Sequence, residues 1–222
     1  MQLPDITALV RPGLNCDRGT VRPSAEHFCY HSGVVTDSRL IRYTVFLDRD
    51  GVLNEKMPEG QYVTSWSDFR LLPGVIDGIR KLNQAGIRVF VVSNQRGIAL
   101  GLYTSETVRA IHDELQNLLK SHEARVDGFY FCPHDKGQCN CRKPLPGLFE
   151  QAVAEFPDVE ARTCAMLGDS LSDIEFGRRL GMLTIFLQCD SSRQKPGADA
   201  AKDLADLRFS SFLEAVNGLL EG

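Results

Sequence analysis

The stretch YTVFLDRDG, residues 43–51, governs how the rest of the chain is read. Tyr43–Leu47 is a short apolar, β-rich run, and Asp48-Arg49-Asp50-Gly51 breaks it abruptly. A continuous apolar run bounded by turn residues reads as a fully buried strand. In an extended segment, residues two apart point the same way. Asp48 and Asp50 therefore present two carboxylates at one strand end, and Gly51 lets the chain turn away.

Working outward, the same strand-then-helix rhythm repeats. Val75–Ala85 has helical apolar spacing and is followed by Gly86. Ile87–Val92 is a second strand, ending in Ser93-Asn94-Gln95. Thr104 caps a helix carrying Val108, Ile111, Leu115, Leu118 and Leu119 on its apolar face. Gly128–Phe131 is a third strand, and Pro146 opens a helix reaching about Phe156. Thr163–Leu167 is a fourth strand, ending in Gly168-Asp169, and Ser172–Leu180 is a helix stopped by Gly181. Leu183–Leu187 is a fifth strand, and residues 209–220 read as a short strand with a closing helix. Strands alternating with helices predict an α/β fold, a Rossmann-like parallel sheet with helices on both faces. Ligands of such sheets bind beyond the carboxyl ends of the strands. Residues 1–40 carry no sustained periodicity and read as an irregular N-terminal extension, leaving 41–222 as the folded domain.

Composition narrows the function. The chain has 222 residues, 43% hydrophobic and 24% charged, which is the balance of a globular protein. Its net charge of −4 offers no basic footprint, so neither nucleic acid nor an anionic membrane is an expected partner. No apolar run approaches the length of a membrane helix, and the N-terminus has no secretory pattern. Of seven cysteines, Cys132, Cys139 and Cys141 crowd together. This suits a reducing compartment and a bound metal better than a disulfide framework. A cytoplasmic monomer is expected.

The polar residues at the strand ends suggest a chemistry. Taken singly, each is ordinary: Asp-x-Asp is a common solvated turn, Ser-Asn-Gln a polar loop, Arg-Lys a surface pair, and Gly-Asp-Ser a helix cap. All four in order, each at a strand end, point elsewhere. Clustered carboxylates raise each other's pKa unless a cation intervenes. Magnesium accepts one or two carboxylates and completes its shell with phosphate and water oxygens. Asp48, Asp50 and Asp169 are thus expected to hold magnesium, with Asp173 supporting them. Asp48 is expected to attack phosphorus and form an aspartyl phosphate. Asp50 then serves as the acid and base. Ser93 and Lys143 would hold the equatorial oxygens, aided by the backbone of Asn94 and Gln95. Arg142 offers a fork for a second anionic group.

The set F-L-D48-R-D50-G, S93-N-Q, K143-P and G168-D169-S-x-x-D173 resembles the haloacid dehalogenase superfamily of phosphatases, over about residues 42–220. The resemblance implies a magnesium-dependent phosphatase with the roles just given. Within that superfamily, D48-R-D-G-V-L-N54, Y62-V-T-S-W-S-D-F-R-L-L-P-G74, S93-N-Q-R-G-I98 and C132-P-H134…C139-N-C141-R-K-P144 are most similar to the D-glycero-D-manno-heptose 1,7-bisphosphate 7-phosphatases and the histidinol-phosphate phosphatases. That group lacks a large cap domain, which leaves a short loop and the Cys/His loop to shape the entrance. Two positions depart from common versions of these motifs: Val52 stands where Thr is frequent, and Ser170 where some heptose enzymes carry Lys.

Cys132, His134, Cys139 and Cys141 offer three thiolates and an imidazole, the closed tetrahedral donor set of structural zinc. The resemblance assigns zinc to the same four positions. Cys16, Cys29, Cys164 and Cys189 have no partner spacing, and His27, His31, His112 and His122 carry no motif. The expected substrate is a phosphorylated sugar, heptose 1,7-bisphosphate cleaved at the 7-phosphate. The alternatives are histidinol phosphate and, from another class, a catalytically silent phosphosugar-binding protein. A nucleic-acid 3′-phosphatase is disfavoured by the acidic balance.

Overall fold

The computed structural model describes residues 44–188 and 196–221. The predicted N-terminal extension, with Cys16, Cys29, His27 and His31, and also Cys189, lies outside them. Among the described residues, six strands form one parallel sheet: β1 (Thr44–Leu47), β2 (Arg88–Asn94), β3 (Gly128–Cys132), β4 (Cys164–Gly168), β5 (Leu183–Leu187) and β6 (Leu207–Phe209). Their order is β3-β2-β1-β4-β5-β6. The helices are α1 (Val75–Gln84), α2 (Ser105–Ser121), α3 (Gly147–Glu155), α4 (Leu171–Leu180), α5 (Ala198–Leu204) and α6 (Phe212–Glu221).

Strand alternation sorts the core into two layers. Val45, Leu47, Val89, Val91, Ala165 and Leu167 face one side, where they pack with Ile79 of α1, Leu115 of α2 and Val216 of α6. Phe46, Phe90, Val92 and Met166 face the other, with Leu148 of α3 and Phe176 of α4. Two-sided cover explains why these strands read as continuous apolar runs instead of alternating ones.

Several boundaries differ from expectation. β2 runs on through Asn94, so Ser93 pairs with Phe131 and Asn94 with Cys132 on the last rungs of the sheet. β3 likewise extends to Cys132. Helix α5 has no counterpart in the sequence reading. It is short, and Ala198 and Ala201 are its buried residues, too small to signal an apolar face.

The topology fixes where the site lies. From β1 the chain winds outward through β2 and β3, then returns to the other side of β1 for β4. The reversal between β1 and β4 opens a crevice at their carboxyl ends. Asp48 follows β1 and Asp169 follows β4, and the Asp48 N–H donates to Leu167 O at 2.9 Å across that boundary. The connection from β1 to α1 (residues 48–74) holds one 3-10 turn, Trp66–Asp68, and two isolated bridges. No cap domain is inserted among the described residues.

Candidate active site

Asp48, Asp169 and Asp173 converge at the crevice. All three are buried, and one ligand oxygen from each lies within 4.8 Å of the others. Two glycines make this convergence possible. Gly51 has φ of +102°, and a Cβ there would stand 2.3 Å from Asp169 Oδ2. A Cβ on Gly168 would stand 2.1 Å from Asp173 Cβ. Any side chain at either place would expel a carboxylate from the group.

Three carboxylates so close need positive charge. Lys143 Nζ donates to Asp48 Oδ1 at 2.8 Å and to Val92 O at 2.6 Å, and pairs with Asp173 Oδ1 at 2.7 Å. Burial alone would lower the Lys143 pKa, but Asp173 and Asp48 outweigh it and hold it above the ordinary value. Lys56, from the β1–α1 connection, is ion-paired with Asp169. Asp173 is also fixed by its own helix: Ser170 at the N-cap of α4 donates to Asp173 Oδ2 from Oγ at 2.6 Å and from its N–H at 3.1 Å. The hard oxygen donors of Asp48, Asp169 and Asp173 fit a magnesium ion.

Asp50 was expected to share that ion, but stands outside the group. Arg49 donates to it from Nε at 3.3 Å and from Nη2 at 3.0 Å, Asn54 Nδ2 donates at 3.0 Å, and Gln95 Nε2 at 3.1 Å. Burial raises the Asp50 pKa, but the Arg49 charge and these hydrogen bonds together hold it below the usual carboxylate range. The chain bends at Arg49, between the two aspartates, which an extended chain would have left on one face. Asp173, expected only as support, takes the third place.

Ser93 is buried at the end of β2, and its Oγ accepts from Gln95 Nε2 at 2.6 Å. The Gln95 amide was expected to meet phosphate. Its backbone N–H instead donates to Cys132 O at 2.8 Å, because the sheet continues to that rung. Its side chain joins Ser93, Arg49 and Asp50, and Tyr103 Oη donates to its Oε1 at 2.8 Å. Asn94 was expected to meet the substrate through its backbone N–H. Its side chain clasps the Lys143 backbone, accepting from Lys143 N at 2.9 Å and donating to Lys143 O at 3.1 Å. The side chains of both residues thus hold neighbours of the site. Arg142 reaches toward the Cys/His loop, where Nη1 donates to His134 O at 3.3 Å.

Cys132, His134, Cys139 and Cys141 come together as expected from their spacing, with their ligand atoms all within 4.8 Å of one another. The sulfurs of Cys132 and Cys139 are 3.5 Å apart, those of Cys139 and Cys141 3.3 Å, and His134 Nδ1 is 3.4 Å from Cys141 Sγ. These thiols are free, not disulfide-linked. Tetrahedral zinc with thiolate ligands would place sulfurs about 3.8 Å apart, so a slight expansion accommodates the ion. Burial pushes the Cys132 and Cys141 thiols up. Cys139 is also desolvated, but hydrogen bonds from Cys141 and Cys132 pull it down to about 7. Arg96 ties the loop to the end of β2 through Asp135, at 2.7 and 3.1 Å.

Sequence reasoning missed Arg49, Asn54 and Lys56. Arg49 and Asn54 each stand within four residues of Asp50, and a polar residue flanking a catalytic carboxylate is a usable signal. Lys56 had none, since only the folded connection carries it to Asp169. His112 proves to be a packing residue. It is stacked on Phe129 at 4.6 Å, and burial lowers its pKa to about 3.

A buried carboxylate group beside a lysine, at the switch point of a parallel sheet, defines a class. The haloacid dehalogenase-like hydrolase family matches residues 38–181, and the chain belongs to it; it is a phosphatase of that family. The chain is 38% identical over 174 residues to D-glycero-alpha-D-manno-heptose-1,7-bisphosphate 7-phosphatase of Mycobacterium tuberculosis, covering 78% of this chain and 89% of the relative. It is 36% identical to the D-glycero-beta-D-manno-heptose-1,7-bisphosphate 7-phosphatase of Bordetella bronchiseptica, covering 77% and 98%. A crystal structure of D,D-heptose 1,7-bisphosphate phosphatase from B. bronchiseptica, complexed with magnesium and phosphate, superposes with a TM-score of 0.72 at 31% identity over 80% of this chain and 98% of that one.

Proposed function

We propose that this phosphatase removes the 7-phosphate of D-glycero-D-manno-heptose 1,7-bisphosphate. The observation that carries the reading is the joining of two centres by one short segment. Lys143, bonded to Asp48, stands two residues beyond the last Cys/His ligand, Cys141. The relatives named for this substrate support the choice.

Asp48, Asp169 and Asp173 would hold magnesium, which supplies the positive charge that a phosphate dianion needs in order to approach three carboxylates. Asp48 attacks phosphorus in line. The new bond joins Asp48 to phosphorus, and the bond to the sugar oxygen breaks. Asp50, ionised in the substrate-free fold, must take up a solvent proton as the substrate binds, and gives it to that departing oxygen. Water then attacks the aspartyl phosphate, Asp50 recovers a proton from it, and inorganic phosphate leaves. Lys143 and Ser93 meet the equatorial oxygens while charge develops. Arg49, Asn54 and Gln95 orient Asp50. Arg142 faces the part of the substrate beyond the reacting phosphate. Cys132, His134, Cys139 and Cys141 would hold a structural zinc, which would fix the loop that leads into Arg142 and Lys143. We place the enzyme in the cytoplasm as a monomer, with residues 1–40 as an extension to a single domain; no helix among the described residues is long and apolar enough to cross a membrane.

Phosphate release across a panel of phosphosugars and histidinol phosphate, with magnesium, tests the assignment. Heptose 1,7-bisphosphate is expected to turn over fastest. Faster hydrolysis of histidinol phosphate would replace the proposed substrate, and no release from any member would reject the whole reading.

A further inference from the structure

Lys56 belongs to none of the four strand-end motifs. It lies in the β1–α1 connection, beside exposed residues at 58–61, yet its side chain is only 7% exposed. Its ammonium is ion-paired with Asp169, whose side chain is fully buried. Ordering and desolvating a lysine is costly, so a lysine turned inward requires an opposite charge. Here that charge is a carboxylate of the convergent group.

The charges of the group bear on this. Asp48, Asp169 and Asp173 contribute three negative charges, and Lys143 and Lys56 two positive ones. Lys143 is anchored by two carboxylates and the Val92 carbonyl, and its backbone is clasped by Asn94. It is part of the fixed frame. Lys56 approaches from a surface connection and engages Asp169 Oδ2. A divalent ion coordinated by Asp169 would meet this ammonium at near-contact distance, where two positive charges in a poorly screened site repel strongly.

We propose that Lys56 is a built-in cation that holds Asp169 when magnesium is absent and must be displaced for magnesium to bind. The displacement rests on the assignment of Asp48, Asp169 and Asp173 to magnesium given above. Its consequence is an enzyme whose carboxylate centre keeps its counter-charge without metal, in exchange for weaker metal affinity.

Isothermal titration of magnesium into the metal-free full-length protein, without substrate, tests this. Lys56→Met keeps the length of the stem and removes the charge; it is expected to bind magnesium about tenfold more tightly than the wild type. Lys56→Arg keeps the charge and is expected to stay near wild type. A folded Lys56→Met with unchanged or weaker affinity overturns the displacement while leaving the magnesium site intact, provided that Asp169→Asn loses binding. An Asp169→Asn protein that titrates like the wild type overturns the magnesium assignment, and the displacement with it. A second measurement needs no substitution at Lys56 in the sample observed. In protein labelled with 13C,15N-lysine, the Lys56 side-chain resonance, assigned by its absence in Lys56→Arg, is expected to shift as magnesium saturates the site. A resonance that stays in place while magnesium binds overturns the proposal.

Discussion

The carboxylate centre and the Cys/His loop sit one after the other along the same rim, and they solve the problem of crowded ligands differently. At the first, protein cations stand against the carboxylates: Lys143 against Asp48 and Asp173, Lys56 against Asp169, Arg49 against Asp50. Strands β1 and β4 and helix α4 hold these groups from three directions. At the second, three thiols and an imidazole face one another, and burial disfavours the thiolate form of Cys132 and Cys141. The difference is instructive. In the proposed reading a metal would complete the chemistry of the carboxylate centre, whereas it would complete the structure of the thiol loop.

The largest effect is expected at the proposed nucleophile, Asp48. Asp48→Asn should lower turnover by roughly 10³-fold or more with the fold intact, since removing a covalent nucleophile leaves only binding and electrostatic stabilisation. Steady-state phosphate release together with circular dichroism checks it. Activity that survives the substitution would break the reading of this centre as the reacting one.

Lys143→Met should come next. It is expected to lower turnover by roughly 10²–10³-fold and destabilise the protein by about 3–5 kcal/mol, because it leaves buried Asp48 and Asp173 without their cation. Urea unfolding in the absence of metal measures the second effect. A stability equal to wild type would show that this centre does not depend on its internal counter-charge.

Zinc removal should do less to catalysis. Cys139→Ser, or chelation, is expected to release about one zinc per chain by elemental analysis and reduce activity roughly tenfold. The effect is partial because Asn94 independently clasps the Lys143 backbone. Combining Cys139→Ser with Asn94→Ala should therefore cost more than the two changes added separately, the signature of two supports sharing one load. Strict additivity would mean that the loop and the clasp do not converge on Lys143.

The smallest effect is in pH dependence. The Asp50 pKa is lowered in the fold from 3.8, so its stabilising contribution is present above pH 3.8 and is lost as pH falls through the lower folded value. The Lys143 pKa is raised from 10.5, so its contribution is present below pH 10.5 and lost as pH rises through the higher folded value. Asp50→Asn should flatten the acid edge of the unfolding free energy and leave the alkaline edge unchanged; Lys143→Met should do the reverse.

Composition and local pattern determined a great deal. Apolar runs ending in polar residues identified five strands at close to their observed bounds, because a parallel strand buried on both faces must be apolar throughout. The spacing of Cys132, His134, Cys139 and Cys141 was enough to bring those four together, since a short loop keeps its own ligands near. The turn after β1 was beyond local pattern: an extended chain would leave Asp48 and Asp50 on one face, and the bend at Arg49 between them lets their carboxylates take different partners. Asp173 reached the group because α4 begins at the β4 end and Ser170 fixes its carboxylate. The Gln95 amide was lost to the substrate because β2 continued two residues further than its apolar run. Helix α5 was invisible because small alanines bury its face. Lys56 met Asp169 across 113 positions of chain, a contact that only the crevice between β1 and β4 creates. Local sequence sets which groups stand at a strand end. Which charges then share a site depends on how distant strand ends are brought together, because Coulomb energy follows distance in space and not separation along the chain.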